Sequence, residues 1–497
     1  MSELFPTLKD FPGTLWEAIV KVLTAVAVAP WRALRWFGRG IYRRRRALLY
    51  IAIALTVIHL AATLVTGLML GNEIARLKAS GYLLTRDQLI PEVPPGEKNA
   101  ADIYQKAFDA RRLSNEDEGI MLEEVARVWK ERAGAASDLT VSRRVVADNA
   151  RFFALIREAA DTPACSFPKD WTAGPNMVFP EFAKLREGAR MLQTRAAVSA
   201  ADGRIDDALA DVGTMLRMAE HSKLVPILIG QLVGYAIESI ATRSLRGSLS
   251  MGDPSPRAAR ALMTQIAATD EVVPYVRSMK GEIALFGLPI FEMTRRGSGR
   301  DIAALLTSDR AGNRLSAALA WRVYGTVGRP VANLDELTFL RAMKAQIDAS
   351  ALPWPQSQER IGALEKQTKA LPLRGGILTA MIMPVFARAV LSREKTAANL
   401  GDAQIALALS IYKSGHGAYP DSLAALERAG SKLPKDPFGG KPFRYRREGA
   451  GFTVYSIGSD MKDDGGLPPV WDTTEKLSDE QRKYRNEHYD LPFHCSL

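Results

Sequence analysis

PEFAKLREGARMLQTRAAVSAADGRIDDALADVGTMLRMAEH, residues 180–221, is the clearest helical pattern in this chain of 497 residues. Apolar side chains recur every three or four positions on both sides of Gly203, which is the spacing of one face of an α-helix. Gly203 and Arg204 interrupt the pattern. The stretch therefore predicts two antiparallel helices joined by a tight turn. The apolar stripes are Leu185, Ala189, Leu192, Ala196 and Ala200, and then Ile205, Ala208, Leu209, Val212, Leu216 and Ala219.

Helical patterning extends from residue 99 to about residue 412. The pair at 180–221 has small residues at the helix crossing and resembles one tetratricopeptide-type repeat. One such copy is recognisable, so an irregular helical bundle is favoured over a regular repeat array. We predict a mainly α protein with a helical domain over residues 99–373, in which helical stripes pack against one another.

Residues 225–240 (VPILIGQLVGYAIESI) form a second apolar stretch inside this helical domain. The stretch contains Gln231 and Glu238 and lies between charged residues. Both polar residues and the flanking charges fall within a continuous helical pattern. We therefore expect a buried core helix here rather than a further membrane span.

Residues 47–70 (ALLYIAIALTVIHLAATLVTGLML) are 24 residues without Asp, Glu, Lys or Arg. This length crosses the hydrocarbon core of a bilayer, so we predict a single transmembrane helix. Four arginines, residues 43–46, precede the run, and few basic residues follow it. The positive-inside rule then places residues 1–46 in the cytoplasm and the bulk of the chain outside it. A cleaved signal peptide is the alternative, although both the basic arm and the apolar run are long for one.

The basic charge of the chain is concentrated at its N-terminus. The net charge is +11, and residues 1–46 hold nine Lys or Arg against three acidic residues, which is +6 of that total. The remainder is spread without long basic runs, so nucleic acid is not an expected partner. Residues 15–36 combine apolar side chains, tryptophans and arginines, which favours contact with anionic lipid, with a re-entrant span as the alternative. Residues 71–98 are predicted to be a connector.

Recognisable catalytic motifs are absent from the sequence. The five histidines form no HExxH pair, and neither a G-x-S-x-G elbow nor a phosphate-binding loop occurs. Cys165 and Cys495 lack the spacing of a metal site. Outside the cytoplasm these two cysteines could form a disulfide, which the sequence leaves open. We therefore expect a protein that is not an enzyme.

Residues 374–472 carry a different pattern. An apolar, Ala-rich helix is predicted to end near Tyr412, before the turn SGHGAYP. Two short segments, 443–446 and 452–456, predict a pair of strands joined at Glu448-Gly449. The acidic loop SIGSDMKDDGG, residues 456–466, follows them.

This order of elements resembles the C-terminal head of the major pseudopilin of type II secretion systems. The chain matches the family pattern A-L-x-x-Y-x-x-x-x-G-x-Y-P, and its turn DPFGG at 436–440 is similar to the family's D-P-W-G signature. The resemblance implies a small α+β head in an extracytoplasmic compartment that depends on calcium. The residues that match the pattern are Ala408, Leu409, Tyr412, Gly417, Tyr419 and Pro420.

The resemblance implies that the acidic loop binds calcium. Asp460 and Asp464 match side-chain ligands of the S-x-G-x-D-G-x-x-D-G type of loop, and Asp472 is a weaker third candidate. Clustered carboxylates repel unless a hard cation is present, and calcium takes six to eight oxygen ligands. An exposed acidic turn without a metal is the alternative. An EF-hand is excluded, because Lys462 and Trp471 occupy its third and twelfth positions.

The chain departs from pseudopilins where the head begins. A pilin starts with a short leader and G-F-T-x-x-E, where a peptidase cuts, whereas Arg374-Gly375-Gly376 lies in mid-chain and no matching glutamate follows. We therefore expect a pseudopilin-like head fused to a membrane-anchored helical body, not a subunit that is processed and polymerised. Residues 473–497 are predicted to be a tail that packs back on the head.

These features together predict a non-catalytic interaction or scaffold protein beside a secretion or envelope assembly. We expect it in the inner membrane of a bacterium, as a single-pass protein with its N-terminus in the cytoplasm and its bulk in the periplasm. The expected partners are membrane lipid and other envelope proteins. The alternative is an envelope enzyme or small-ligand-binding protein with a site in the helical domain.

Overall fold

The described part of the chain folds into packed helices with a small sheet near the C-terminus. A computed structural model describes residues 41–131, 139–296, 314–371, 375–468 and 489–495, together with Ser478 and Gln481. The prediction of a mainly α protein with a small sheet is confirmed. Residues 15–36, for which contact with lipid is predicted, and Asp472 lie outside the described residues.

The elements are numbered here in chain order. The helices are α1 (Ile41–Ala79), α2 (Ala100–Ala110), α3 (Asn115–Glu131), α4 (Thr140–Asp148), α5 (Ala150–Ala160), α6 (Pro180–Ala201), α7 (Ile205–Lys223), α8 (Leu228–Leu249), α9 (Pro256–Ala267), α10 (Val272–Glu282), α11 (Leu288–Arg295), α12 (Arg314–Gly325), α13 (Arg329–Ser350), α14 (Trp354–Lys369), α15 (Ile377–His416) and α16 (Leu423–Arg428). The strands are β1 (Arg444–Glu448), β2 (Gly451–Ser456) and β3 (Leu491–Cys495).

The predicted helical pair forms α6 and α7. Every residue of the two predicted stripes is buried. Gly203 closes the turn with a φ of 76°, a backbone conformation that residues with a Cβ rarely adopt. Helix α8 packs against both helices and contains the stretch predicted to be a core helix, with Gln231 and Glu238 fully buried. The core position of this stretch is therefore confirmed.

Helix α15 runs through the interior and is 40 residues long. Its buried residues up to Ala398 belong to one hydrophobic core, and those from Leu400 onward belong to the other. The helix continues to His416 rather than ending near Tyr412, and Gly417, with a φ of 77°, terminates it. Both cores include residues from before and after position 373, so the predicted boundary there does not separate two cores.

The N-terminus of α15 is held by a carboxylate from another helix. Asp335 of α13 accepts hydrogen bonds from the backbone N–H groups of Leu378 at 2.8 Å and Thr379 at 3.2 Å. The hydroxyl of Tyr324 donates to the same carboxylate at 2.6 Å. The first N–H groups of a helix have no partner within the helix, so this buried carboxylate satisfies donors that would otherwise be costly to bury.

The sheet is antiparallel, with the strand order β1-β2-β3. Strands β1 and β2 lie where two strands are predicted, with β1 displaced by one or two residues. Strand β3 comes from the predicted tail and pairs with β2, so that Val454 lies opposite Phe493. The end of the tail therefore completes the sheet, and Phe493 and Cys495 are buried there.

The two cysteines do not form a disulfide. Cys165 and Cys495 are both buried in the helical core. The thiol of Cys495 lies 3.3 Å from the backbone oxygen of Leu249, at the end of α8. Strand pairing and packing, without a cross-link, hold β3 against the helical body.

Helix α1 contains the predicted transmembrane segment. Residues 46–79 are long and apolar enough to cross a membrane. The large apolar side chains of its first half are exposed, whereas Thr66, Leu70, Glu73 and Leu77 are buried against the rest of the protein. The connector that follows is packed onto the body, since Tyr82, Leu84 and Leu89 are buried.

Asp436 ties the DPFGG turn to the start of the acidic loop. Its buried carboxylate accepts hydrogen bonds from the backbone N–H groups of Phe438 and Ile457, both at 2.9 Å. The hydroxyl of Ser456 donates to it at 2.8 Å. The aspartate of this motif therefore joins two segments that are 20 residues apart in the chain.

Replacing the Asp436 carboxylate should destabilise the C-terminal α+β unit. We expect Asp436→Ala to lower the free energy of unfolding by about 3 kcal/mol, because two buried donors and one half-buried donor lose their acceptor. Asp436→Asn retains an acceptor oxygen and should cost less. Urea unfolding of the detergent-solubilised chain measures both. Asp421→Ala, at a side chain that is 93% exposed, is the matched control. Equal stability of Asp436→Ala and this control would contradict the structural role.

Candidate functional site

The most unusual group of side chains in the body is a lysine buried among three glutamates. Lys223 is the last residue of α7, and Glu220 lies one turn earlier. Glu238 comes from α8, and Glu271 directly precedes α10. Three segments of the helical body therefore meet at this cluster, which we call the Lys223 cluster.

The ammonium group of Lys223 lies between carboxylates. Its Nζ bonds to Glu238, lies 2.6 Å from Glu271 Oε1 and lies 3.5 Å from Glu220 Oε1. The side chains of Lys223 and Glu238 are each 1% exposed. The lysine stem passes closely over Gly234, where a Cβ atom would lie 2.7 Å from Lys223 Cγ. A side chain at position 234 would therefore displace the lysine.

The electrostatics of the Lys223 cluster keep the lysine charged. Burial lowers the pKa of Lys223, but the surrounding carboxylates outweigh it, so the pKa is raised overall. Burial raises the pKa of Glu238 well above its usual range, and the charge of Glu271 adds to this effect, whereas Lys223 opposes it. One lysine cannot neutralise three carboxylates, so Glu238 favours its protonated form.

The same carboxylates are a possible metal site. Among the described residues, Glu220, Glu238 and Glu271 are the one set of three acidic, His or Cys side chains whose ligand atoms all lie within 4.8 Å of one another. Lys223 Nζ already lies between these oxygens. A metal ion would have to displace this ammonium group, so the arrangement favours an internal ion network.

A second buried lysine has a different environment. Lys169 forms an ion pair with Glu181, and their side chains are 3% and 8% exposed. Its ammonium group also lies 4.8 Å from the centre of the Phe179 ring and 5.5 Å from that of Phe182. Burial lowers the pKa of Lys169 to about 8. An amine of this pKa can exchange a proton near neutral pH, as general acid–base chemistry requires.

The predicted calcium loop is held in a defined conformation. Asp460 Oδ1 accepts a hydrogen bond from the backbone N–H of Lys462 at 3.1 Å. Met461 stands where the matching loop type has glycine, and its φ is 60°, in the left-handed region that favours glycine. Asp463 pairs with Arg444 at 3.0 Å and accepts from the Tyr455 hydroxyl at 2.9 Å. The side chain of Asp463 is therefore already engaged.

Asp490, a residue that the sequence did not single out, lies beside the predicted ligand Asp464. Its carboxylate accepts from the backbone N–H of Gly466 at 2.7 Å, and it is fully buried. Burial raises the pKa of Asp490 to about 7, and the charges of Asp464 and Asp463 add to this effect. The charges of Asp463, Asp464 and Asp490 therefore influence one another across this loop.

The fit to calcium depends on one further observation. Asp490 Oδ1 is buried and makes no hydrogen bond to a described residue. A cation beside Asp464 would satisfy this oxygen and offset the repulsion between the two carboxylates. Asp490 nevertheless does not form, with Asp460 and Asp464, a set of ligand atoms that all lie within 4.8 Å of one another in the described residues. It lies 26 positions beyond Asp464 in the chain, and strand pairing brings it there.

No protein-family model, curated protein or solved structure matches this chain. The resemblance of the C-terminal region to pseudopilins and that of α6 and α7 to a tetratricopeptide repeat therefore stay predictions that rest on the quoted residues.

Removing the lysine from the Lys223 cluster should strongly destabilise the body. Lys223→Met leaves buried carboxylates without a counter-charge, and we expect a loss of about 3–5 kcal/mol in the free energy of unfolding. Adding Glu238→Gln should restore part of it. The measurement is urea unfolding near pH 7. Lys344→Met, in an exposed pair with Asp348, is the control. A loss no larger than that of the control would contradict a stabilising network.

The Lys223 cluster also predicts a pH dependence of stability. In the unfolded chain Glu238 ionises near pH 4.3, about its ordinary pKa. The folded protein retains the proton to higher pH, so this group makes stability fall as pH rises, by up to about 1.4 kcal/mol per pH unit. Gln cannot ionise, so Glu238→Gln should gain stability relative to the unchanged chain as the pH rises above about 4.3, where the unfolded Glu is charged while the folded Glu, with its raised pKa, still holds its proton.

Unfolding curves at several pH values measure this difference. Glu359→Gln, at an exposed position, should follow the unchanged chain at each pH. A constant difference between Glu238→Gln and the unchanged chain would show that Glu238 is ionised in the folded protein.

Proposed function

We propose that this protein is a non-catalytic, membrane-anchored scaffold or interaction protein of the bacterial cell envelope. Helix α1 anchors it as a single-pass protein of the inner membrane, with the N-terminus in the cytoplasm and the bulk of the chain in the periplasm. The helical body carries a C-terminal, pseudopilin-like α+β unit that binds protein partners of a secretion or envelope assembly. Calcium at Asp460 and Asp464 stabilises that unit.

The observation that carries the proposal is the docking of α1 on α13. The amide of Asn333 donates to the Thr66 hydroxyl at 3.1 Å, and Arg341 pairs with Glu73 at 3.2 Å. Leu70 and Leu77 are buried in the hydrophobic core to which α13 also contributes. Two polar contacts and apolar burial orient the body relative to the anchor, which suits a protein that presents a surface at a set distance from a membrane.

The packing of the C-terminal α+β unit against the helical body also supports a scaffold role. Helix α15 contributes to both hydrophobic cores, and β3 contacts α8 as well as β2. Lys413 of α15 pairs with Asp253, in the loop after α8, at 2.8 Å. A partner bound to the sheet or to the acidic loop would therefore be held in a set orientation to the membrane anchor.

The electrostatics of Lys223 also favour a structural role. A lysine that acts as a nucleophile or base needs a lowered pKa, whereas that of Lys223 is raised. Lys169 is the feature that favours the alternative, an envelope enzyme or small-ligand-binding protein. Its pKa is lowered, but its side chain is 3% exposed and paired with Glu181. A substrate would reach this amine only after the surrounding phenylalanines moved.

Affinity isolation of the full chain from detergent-solubilised membranes tests the proposal. With calcium present, we expect discrete envelope proteins to co-purify. A calcium chelator should release them, and so should the double variant Asp460→Ala/Asp464→Ala, because the loop would lose the cation that offsets its clustered charge. Quantitative mass spectrometry measures the loss.

Asp421→Ala removes one exposed carboxylate near the same sheet and should retain every partner, so it is the matched control. If the partners still co-purify in the presence of the chelator and with the double variant, partner binding does not depend on calcium. The proposed role of calcium would then be wrong. Recovery of a bound small molecule without any protein partner would reject the scaffold role in favour of the alternative.

A further inference from the structure

Helices α1 and α13 run side by side in the same direction. Thr66 of α1 contacts Asn333 of α13, and Glu73 contacts Arg341. The first contact precedes the second in both helices, by seven residues in α1 and by eight in α13. At a rise of about 1.5 Å per residue, the two spacings along the helix axes agree to within about 2 Å. Positions on α13 can therefore be assigned a level along α1.

The sequence of α1 indicates where the boundary of the hydrocarbon core lies along this helix. Residues 47–66 are the first 20 residues after the four arginines, and 20 helical residues span about 30 Å, the thickness of the hydrocarbon core. The exposed face of α1 is apolar through Leu68 and Met69 and becomes polar at Asn72. The hydrocarbon boundary therefore lies at or beyond Thr66, and thus at or beyond the level of Asn333.

The beginning of α13 lies on the membrane side of that boundary. Gly328, which immediately precedes the helix, is five residues before Asn333, or about 8 Å deeper along the helix axis. Amphipathic helices that bind a membrane surface bury their apolar face by about 5–10 Å. The depth of about 8 Å at Gly328 falls within this range of insertion depths.

The side chains at this depth form an exposed apolar stripe. Val327 is 70% exposed, and Val331 and Leu334 are each 41% exposed. Val331 and Leu334 are three residues apart and lie on one face of α13, and Val327 lies in the turn before that helix. The next positions on that face are Thr338 and Arg341, so the stripe becomes polar beyond the level of Asn333. This change mirrors the one on α1.

We infer that the turn before α13 and its first helical turns are inserted in the membrane leaflet on the side of the body, with Val327, Val331 and Leu334 in contact with lipid acyl chains. We call these three residues the leaflet stripe. The inference rests on the proposed membrane anchor and adds a second attachment beside α1. Lipid is the occupant because the leaflet stripe lies on a helix that docks on α1, at the level where the exposed side chains of α1 are still apolar.

The charges around the leaflet stripe are compatible with this position. Arg329 is exposed in the first turn of α13, and Arg322 is exposed in α12. Arginine can lie along an apolar surface with its stem while its guanidinium group extends to lipid phosphates. Glu73 and Arg341 pair beyond the boundary, where the buried Glu73 carboxylate has Arg341, whose side chain is 55% exposed, as its counter-charge.

Site-specific fluorescence in lipid nanodiscs tests the inference on the full chain. Single cysteines are introduced by Val331→Cys, Leu334→Cys, Ile58→Cys and Val178→Cys and labelled with an environment-sensitive fluorophore. The unchanged chain controls for Cys165 and Cys495, which are buried. Quenching by nitroxide-bearing phospholipid is then measured. Ile58, 63% exposed on α1, reports the anchor, and Val178, 78% exposed and outside α1 and α13, reports the solvated body.

We expect labels at 331 and 334 to be quenched to an extent comparable with the label at 58, and the label at 178 to be unaffected. Quenching at 58 with the labels at 331 and 334 behaving like that at 178 would overturn the leaflet stripe and leave the anchor intact. Loss of quenching at all four positions would overturn the anchor itself, and the leaflet stripe with it.

Discussion

The packing of α15 across the interior is the constraint on which the rest of this structure depends. Its first half lies in the core with α1, α12, α13 and α14, and its second half lies in the core with α6 to α9 and the sheet. Asp335 caps its N-terminus from α13, and Gly417 ends it beside the sheet. Because one continuous helix belongs to both cores, displacement of either end requires disruption of the packing at the other.

Buried charged side chains lie where the packing of the helices buries polar groups that need hydrogen-bond or ionic partners. Asp335 serves helix N–H groups, Asp436 joins a turn to a loop, and Lys223 joins α7, α8 and the segment before α10. Each would be costly if it lost its partners, since a buried charge without compensation is strongly destabilising. These groups therefore determine how the helices pair, in addition to the less specific burial of apolar stripes.

Under the proposed function, the same architecture links the membrane to the C-terminal unit. Helix α1 docks on α13, α13 caps α15, and α15 supports the sheet and the acidic loop. The route from the anchor to the acidic loop passes through buried contacts, apart from the exposed side chain of Arg341, which pairs with the buried Glu73. A scaffold requires this property, because a flexible joint would let a bound partner move relative to the membrane.

The sequence by itself determined the mainly helical class, the pair at α6 and α7, the apolar length of α1 and the first two strands. These features depend on periodicity and turn residues within a few positions of one another. Only the tertiary structure decided that Lys223 meets Glu238 and Glu271, that Asp490 lies beside Asp464, and that the tail supplies β3. The physical reason is distance along the chain. A buried ion pair or an added strand leaves no local signal, because its partners are brought together by the packing of the helices between them.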